Sequence, residues 1–584
     1  MANLCYYKSW KGLVAFMIVG IDLGTSTSEV AFVNKNGQVI VIPNEEKELI
    51  TPSVVHIKQT GRSIVGAEAR EYLFTRPDCT FMEVKRKFGT GEKLTAHGKI
   101  YTPEEIQSHI IEYLVDCAQD YAGEDVTGAV ITVPAYFTDI QRKQTIKAGE
   151  LAGVNVERVI NEPTAAALDY GLKNMSECEY ILVYDFGGGT LDVTVLELFE
   201  GVIDVKSSCG NNQLGGKDFD EILMKHIAGA NYKTLMADPK SEMKLKQAAA
   251  ECKVALSSVE STNVRLPLIS EDISIDCTVT RSEFDGLIKS LVDSTAEQID
   301  TALRDAALAS SDLQRVILVG GTTRVPLVRK FVKEKLGLTS ISENSHDYSP
   351  ELMVVRGAAI QAGIIEGVIA DEQSVVLADV CPFTLGLKVV TNNGYKVDPL
   401  IKRNVTVPYE YNKVYSALYE YQRLIHFEIY QGESSHPYEN TLIGEMNLDK
   451  LPQRRDELAE AEVTFSYDVS GLLHVKARAL GNDSTAATVI DINKNDLPVQ
   501  QPVKLSDWNQ VDGASKYRPL LRKAQKILDE SIGEKEFVEK RLFIIQDVCE
   551  GLKADIILGN KEAAENKAEQ IKTFINTQNP VNVF

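Results

Sequence analysis

The sequence predicts a multidomain chain: an α/β region, then an antiparallel β-sandwich, then a short α-helical region. Three observations carry that order. Two stretches, Met17–Val33 and Glu179–Leu198, repeat one pattern of apolar strand, aspartate, glycine–threonine turn and alternating strand. From residue 381 the alternation of strand and helix signals gives way to short period-two runs. From residue 505 the chain is charged and helix-periodic. A length of 584 residues exceeds what one core organises, so about two to four domains are expected.

The second hairpin stretch displays its chemistry most openly. Tyr180–Tyr184 is an apolar run closed by Asp185; Gly187–Gly189 and Thr190 turn the chain; Leu191, Val193 and Val195 then alternate with Asp192, Thr194 and Glu197. Glycine lets another group touch the backbone, and a turn with exposed N–H groups makes a concavity for anions. An aspartate at its edge holds a hydrated Mg²⁺ by its oxygens. Alone, the stretch reads equally well as a glycine-rich hairpin with a solvated Asp185. The earlier copy, with Asp22 before the turn Gly24–Ser28, favours the first reading, since two such hairpins face to face would clamp a polyphosphate. No G-x-x-x-x-G-K-[ST] word occurs, and Gly187–Gly189 lead into a strand, so neither a P-loop nor a dinucleotide fingerprint is present.

Along the chain, residues 17–371 alternate strand and helix signals, as an α/β domain does. Thr102–Cys117 has helical spacing, Val126–Val133 is a buried strand ending at Pro134, Gln141–Ala152 is a helix, and Ser282–Ala309 is mostly helical. Residues 372–380 contain the apolar run Val375–Asp379, read as an interdomain linker that docks in one state and is exposed in another; the alternative is the first strand of the next domain. In residues 381–498, turns at Asn392–Gly394 and Ser470–Gly471 and the strands Val414–Gln431 and Ala461–Ala477 predict the sandwich. In residues 499–584, helices are expected over Tyr517–Ile532, Lys535–Ile557 and Lys561–Phe574, broken at Gly533 and Gly559.

Composition excludes several classes. A net charge of −21 argues against a nucleic-acid partner and suits a monomer. Nine scattered cysteines with no CxxC pair fit reduced thiols, hence a cytoplasmic location. No apolar run is long enough to span a bilayer, so no membrane partner is expected. The start MANLCYYKSWKGLVAF resembles a signal peptide, but its apolar part, Leu13–Ile21, is short and runs into the first strand; residues 1–16 read as an extension before a functional start at Met17.

The paired hairpins resemble those of the actin, sugar-kinase and chaperone ATPase superfamily. Longer words are similar to the DnaK (heat-shock seventy) chaperones: Val130–Gly153, INEPTAAALDYGL at Ile160–Leu172, LGGKDFDE at Leu214–Glu221 and VILVGGTTRVPLV at Val316–Val328. DVCPFTLGL at Asp379–Leu387 and the short C-terminus lean towards the HscC-like bacterial branch. The resemblance implies an actin-like two-lobed ATPase domain over 17–371 that binds ATP or ADP with Mg²⁺ and K⁺. It makes Asp22 and Asp185 the residues that order the Mg²⁺ hydration shell, with Asp192 near the monovalent cation. Thr25 and Thr190 lie beside the phosphates and attacking water, Ser26 and Thr27 belong to the same hairpin, and Gly24 and Gly187, Gly188 and Gly189 supply backbone donors. Lys85 falls near the γ-phosphate and Glu162 in the NEPT motif; by themselves, Lys85 reads as a solvated lysine and Glu162 as a helix cap. Gly215, Gly216, Lys253, Ser257, Gly320, Gly321 and Arg324 match nucleotide-binding positions. Two departures bear on nucleotide affinity. Ala250 stands where the family pattern has glutamate, and Glu251, one place later, is turned by ~100° and cannot substitute. Ser26–Thr27 replaces threonine followed by asparagine or tyrosine.

By the same resemblance, Pro134, Arg142 and Asp379 relay between nucleotide and linker, and Arg158 lies near the linker and a J-domain surface. Leu387, Val389, Val390, Tyr415, Leu418, Ile425 and Phe427 match a peptide groove that takes extended apolar segments by backbone hydrogen bonds and a pocket. The expected partners are unfolded polypeptides and a J-domain cochaperone, the need for an exchange factor being open. The expected function is an ATP-dependent chaperone; the alternatives are a small-molecule kinase or an actin-like scaffold of the same superfamily. The tail over 499–584 is expected to be a reduced lid.

Overall fold

The computed structural model describes residues 17–174, 178–270, 272–338, 349–369, 376–452, 457–481, 484–489, 502–533 and 541–577. The expected extension over 1–16, linker residues 372–375, and residues 490–498 of the expected sandwich lie outside these. The chain divides into two units, 1–382 and 383–584.

The first unit is mixed α/β, built around two sheets. One contains β1 (Met17–Leu23), β2 (Thr27–Val33), β3 (Val39–Val41), β4 (Thr51–Pro52), β5 (Val126–Val133) and β6 (Asn155–Asn161), in the order β6-β5-β1-β2-β3 with β4 on β2. The other contains β7 (Glu179–Phe186), β8 (Leu191–Phe199), β9 (Val202–Asn211), β10 (Arg315–Val319) and β11 (Val376–Val380), in the order β10-β7-β8-β9-β11. Each sheet sets its aspartate strand between a parallel neighbour and an antiparallel hairpin partner: β5∥β1 with β2 in one, β10∥β7 with β8 in the other. The sequence repeat is therefore a repeat of topology.

Helices cover the sheets: α1 (Pro103–Ala122), α2 (Asp139–Leu151), α3 (Glu162–Lys173), α4 (Gly216–Ala228), α5 (Pro239–Leu256), α6 (Arg281–Ser294), α7 (Ala296–Asp305) and α8 (Met353–Glu366). Thr102 and Thr138 start α1 and α2 with capping boxes to Glu105 and Gln141. One buried cluster joins Val130 and Ile160 of the first sheet to Ile181, Val183 and Ile317 of the second through α3 and α8. That junction depends on missing side chains. A Cβ on Gly357 would stand 1.7 Å from the Ala165 carbonyl oxygen, and one on Gly20 2.1 Å from the Ala359 nitrogen. The backbone of α8 therefore meets those of α3 and β1 with no room for a side chain between them.

In the second unit, β12 (Leu385–Thr391), β13 (Gly394–Ile401), β14 (Tyr409–Ser416), β15 (Ile425–Gln431), β16 (Thr441–Leu448), β17 (Glu460–Tyr467), β18 (Leu473–Ala479) and β19 (Thr485–Val489) form two antiparallel sheets, β13-β12-β15-β16 and β14-β17-β18-β19. β17 alternates buried Ala461, Val463, Phe465 and Tyr467 with more exposed residues, the period of a strand with one face in a core. The helices α9 (Arg518–Asp529), α10 (Leu542–Leu558) and α11 (Lys561–Thr577) share a core that includes Leu521, Phe543, Ile571 and Phe574. The expected helix start over 535–540 lies outside the described residues.

Three expectations are corrected. Val414–Gln431 is not one strand: it crosses from β14 to β15 in the other sheet, through a turn with Tyr421 at φ 59°. Ala461–Ala477 is a hairpin, turned where the Asp468 carboxylate accepts from Ser470 N and Leu472 N. Val376–Val380 is not the first sandwich strand; it pairs in parallel with β9 of the first unit. Among the described residues no cysteine is in a disulfide. Among the described residues no helix is long and apolar enough to cross a membrane.

Candidate active site

The ends of β1 and β7 open into a cavity of about 750 Å³ lined by Asp22, Gly24, Thr25, Ser26, Thr27, Glu162, Asp185, Gly187, Gly188, Thr190, Lys253, Ser257, Gly320, Gly321 and Arg324. Hairpin residues more than 160 positions apart in sequence thus meet because each hairpin turn caps its own sheet at the same edge. Glycine is required at the contact between turns: a Cβ on Gly188 would lie 2.2 Å from Ser26 Oγ, and one on Gly215 2.4 Å from Gly189 N. Behind this layer Gly216 N donates to the Gly187 carbonyl at 3.0 Å. Lys253 Nζ, paired with Asp220 at 2.7 Å, donates to the Gly216 carbonyl at 2.9 Å. Gly215, Gly216 and Gly189 therefore support the cavity wall.

Lys85 is 2% exposed. Its Nζ bonds Glu162 Oε1 at 2.7 Å and lies 5.3 Å from the centre of the Phe137 ring. The solvated-lysine alternative is corrected, and so is the capping alternative for Glu162, whose carboxylate is spent on Lys85 at the first turn of α3. Asp22 accepts from Thr132 Oγ1 at 2.7 Å. Asp192, the cross-strand partner of Asp185, accepts from Tyr136 N at 3.0 Å, while its Oδ2 is buried with no hydrogen-bond partner among the described residues.

These carboxylates are crowded and dry. Burial, then the charge of Glu162, pushes Asp22 up to about 7 and Asp192 up to about 8. The same two causes hold Asp185 well above the usual carboxylate range. In each case Lys85 acts in the opposite direction. Negative charge at low dielectric with unsatisfied oxygens calls for a cation. Among the described residues no three His, Cys, Asp or Glu side chains stand close enough to grip a bare ion. The donor set fits a hydrated Mg²⁺ that reaches the carboxylates through water.

On the opposite wall, α5 presents Lys253, Val254 and Ser257 to the cavity. Glu251 is exposed and accepts from Gln247 Nε2 at 2.7 Å, so it does not stand in for a side chain at Ala250. Arg324 is committed to Glu351, Nη2 to Oε2 at 2.6 Å.

The back of the same region holds β11. Val376, Leu377 and Ala378 pair with Val202, Ile203 and Asp204 of β9. Asp379 is buried; its Oδ2 accepts from Asn161 Nδ2 at 2.9 Å and Thr164 Oγ1 at 3.2 Å, and its Oδ1 from Val380 N at 2.8 Å. Asn161 Oδ1 accepts from Arg142 Nη2 at 2.6 Å, and Arg142 also donates to the Ala135 carbonyl at 3.0 Å, next to Pro134. Arg158 donates to Gln361 Oε1 at 3.2 Å; burial lowers its pKa and the Asp379 charge opposes that.

A family model described as Hsp70 protein matches residues 18–95 and 90–579. The chain belongs to the Hsp70 family. It is 41% identical over 483 residues to the chaperone protein DnaK of Thermotoga petrophila and to that of Thermotoga maritima, covering 81% of this chain and 80% of each relative. The DnaK of Thermotoga neapolitana is 40% identical over the same shares. Hsp70 proteins are ATP-dependent chaperones, and this chain is an ATPase of that family.

In this Hsp70 chain the seven residues matched to a peptide groove do not share one environment. Leu387 and Phe427 are core residues, 1% and 4% exposed. Val390 packs with Tyr395 against the C-terminal helices. Tyr415 donates its hydroxyl to Asp398 Oδ2 at 2.7 Å. Val389 and Ile425 are half-buried, and Leu418 is exposed. Sequence reasoning missed Asn161, Thr164 and Thr132, which hold the acids it did find. It also missed Glu29, which register counting in the first hairpin would have placed opposite Asp22. The ion pairs of Glu83 with Lys217 and Lys246, and of Arg86 with Asp218, carried no sequence signal because their partners lie more than 130 residues apart.

Proposed function

We propose that the cleft binds ATP with Mg²⁺ and K⁺, hydrolyses it, and signals its state to a peptide-binding sandwich through β11. Lys85, fixed by Glu162 and Phe137, is a pre-positioned positive charge for the transferred phosphoryl group, and such fixed charges act without reorganising at the moment of reaction. Thr25 and Thr190 offer hydroxyls to the phosphates and attacking water, and Gly24, Gly188 and Gly189 offer backbone N–H groups, whereas the Gly187 N–H is spent on the Thr190 carbonyl at 3.0 Å. Asp22 and Asp185 anchor the hydrated Mg²⁺, with Asp192 beside K⁺. When bound, Mg²⁺ neutralises charge on the phosphates.

One observation carries the coupling: Glu162, which holds Lys85, and Asn161, which holds Asp379, are consecutive residues. A shift at the start of α3 moves both. Residues 17–371 would then be the actin-like nucleotide domain and 372–380 the linker. Residues 381–498 would be the domain for extended apolar peptides and 499–584 a short lid-like region. Arg158, beside the linker, is a contact for a J-domain cochaperone.

The test is stopped-flow release of a labelled apolar peptide. ATP with Mg²⁺ is expected to accelerate release and ADP to leave it slow. Release at one rate in both nucleotides defeats the proposal.

A further inference from the structure

One buried carboxylate in the cleft takes no part in the chemistry of Lys85, Asp185 and the hairpin hydroxyls. Glu29 is paired directly across the β1–β2 hairpin with Asp22. It is 2% exposed, lines the same cavity as Asp22, and its Oε1 has no hydrogen-bond partner among the described residues. Thr27 supplies its one side-chain hydrogen bond. Residues directly opposite in an antiparallel pair have Cβ atoms about 4.5–5.5 Å apart, and like charges there repel. Burial removes the water that would screen them.

The neighbouring cations are committed elsewhere. Lys85 pairs with Glu162 at 2.7 Å, Lys253 with Asp220 at 2.7 Å and Arg324 with Glu351, and Arg329, which also lines the cavity, donates to the Thr323 carbonyl at 2.9 Å. Two carboxylates facing one cavity from adjacent strands thus have no direct ion pair among the described residues, and one of their oxygens is an unused acceptor. Two charges at one edge also bind a hard divalent cation more tightly than one does.

We propose that Glu29 and Asp22 together hold a hydrated divalent cation in the cleft before any nucleotide binds. The inference deepens the reading of the cleft as a nucleotide site and rests on it. Water mediates the contact, consistent with the lack of a three-ligand cluster among the described residues and with the tendency of Mg²⁺ to keep several waters. The cleft would then be charged with metal in advance, and Glu29 would set how much free metal that requires.

The experiment uses the full chain freed of nucleotide and metal with a chelator, then titrated with Mn²⁺ while free Mn²⁺ is followed by electron paramagnetic resonance. The wild type is expected to take up Mn²⁺ at one site without nucleotide. Glu29→Gln is expected to weaken that site roughly tenfold or more, the scale seen when a supporting ligand of a metal is removed, and to reduce the rise in Tm on adding Mn²⁺. Equal affinity in the variant overturns the proposal. So does a wild type that takes up no Mn²⁺ without nucleotide. A wild type that takes up no Mn²⁺ overturns the proposal whether or not the variant folds. A parallel titration with ATP present separates the two levels: Mn²⁺ uptake only with ATP sinks the inference and leaves the nucleotide site standing, whereas no uptake in either case removes both.

Discussion

Asn161 holds Asp379 through its side-chain nitrogen at 2.9 Å and accepts from Arg142 through its oxygen at 2.6 Å. A single amide thus joins the acid that ends β11 to a buried arginine of α2. Both its polar atoms are used, so the contact is directional: it forms only when Asp379 is in place.

Asp379→Ala removes the acceptor and leaves the Asn161 and Thr164 donors buried. An unsatisfied buried polar group costs about 1–3 kcal/mol, enough to bias a two-state docking equilibrium by roughly one to two orders of magnitude. ATP-accelerated peptide release is expected to be lost, with basal hydrolysis within a few-fold of wild type. Stopped-flow release and steady-state ATPase measured on one preparation check this. Normal ATP-stimulated release would remove β11 from the coupling.

Lys85→Met is expected to abolish single-turnover hydrolysis while ATP still binds. It also leaves Glu162 without its cation, and breaking one side of a buried ion pair costs about 3–5 kcal/mol. The double variant with Glu162→Gln is expected to recover thermal stability and not turnover. Turnover returning along with the melting temperature would make the pair structural.

Ala250→Glu tests nucleotide retention. Position 250 lies three residues before Lys253 and seven before Ser257 on α5, the spacing of one helical face. A new hydrogen bond to nucleotide is worth about 0.5–1.5 kcal/mol, or up to roughly tenfold in affinity. The ADP dissociation rate of the variant, measured with a fluorescent analogue, is expected to fall by about that factor. An unchanged rate means the wild-type helix already binds as well as it can.

The C-terminal helices can be loosened from the sandwich at one contact. Phe543 of α10 meets Tyr395 of β13 edge-to-face at 5.5 Å between ring centres. Phe543→Ala is expected to destabilise this packing by about 3–5 kcal/mol and to hasten proteolysis within 542–577. If the helices are a poor lid, peptide off-rates in ADP will change only a few-fold. A large acceleration would show that they close over bound peptide.

How much was readable in advance follows from the range of each interaction. The paired hairpins were legible because strand, aspartate and glycine turn are contiguous, and so were the α1 and β5 segments, whose periods are local. The join between β14 and β15 was not, since Val414–Gln431 carries unbroken strand-forming residues and only the fold puts its halves in different sheets. Lys85 looked like any lysine in a basic run; its burial comes from Phe137 and Glu162, more than 50 residues away. Asn161 was hidden beside the more conspicuous Glu162, because an amide's role depends on which two groups it faces. The placement of β11 needed the open edge of β9, which no local pattern in Val376–Val380 describes.

That borrowed strand has a consequence for anyone who cuts the chain. Without residues 376–380, the backbone of β9 at Val202–Asp204 loses its parallel neighbour and presents unpaired N–H and C=O groups beside apolar side chains. Such an edge invites pairing with another chain. A fragment ending at 371 therefore exposes the β9 edge at Val202–Asp204, which a fragment ending at 382 covers with β11, and the first is expected to recruit a strand there that the second does not. A free peptide of sequence VVLADV is expected to compete for the vacancy, so that the fragment ending at 371 binds it and the one ending at 382 does not.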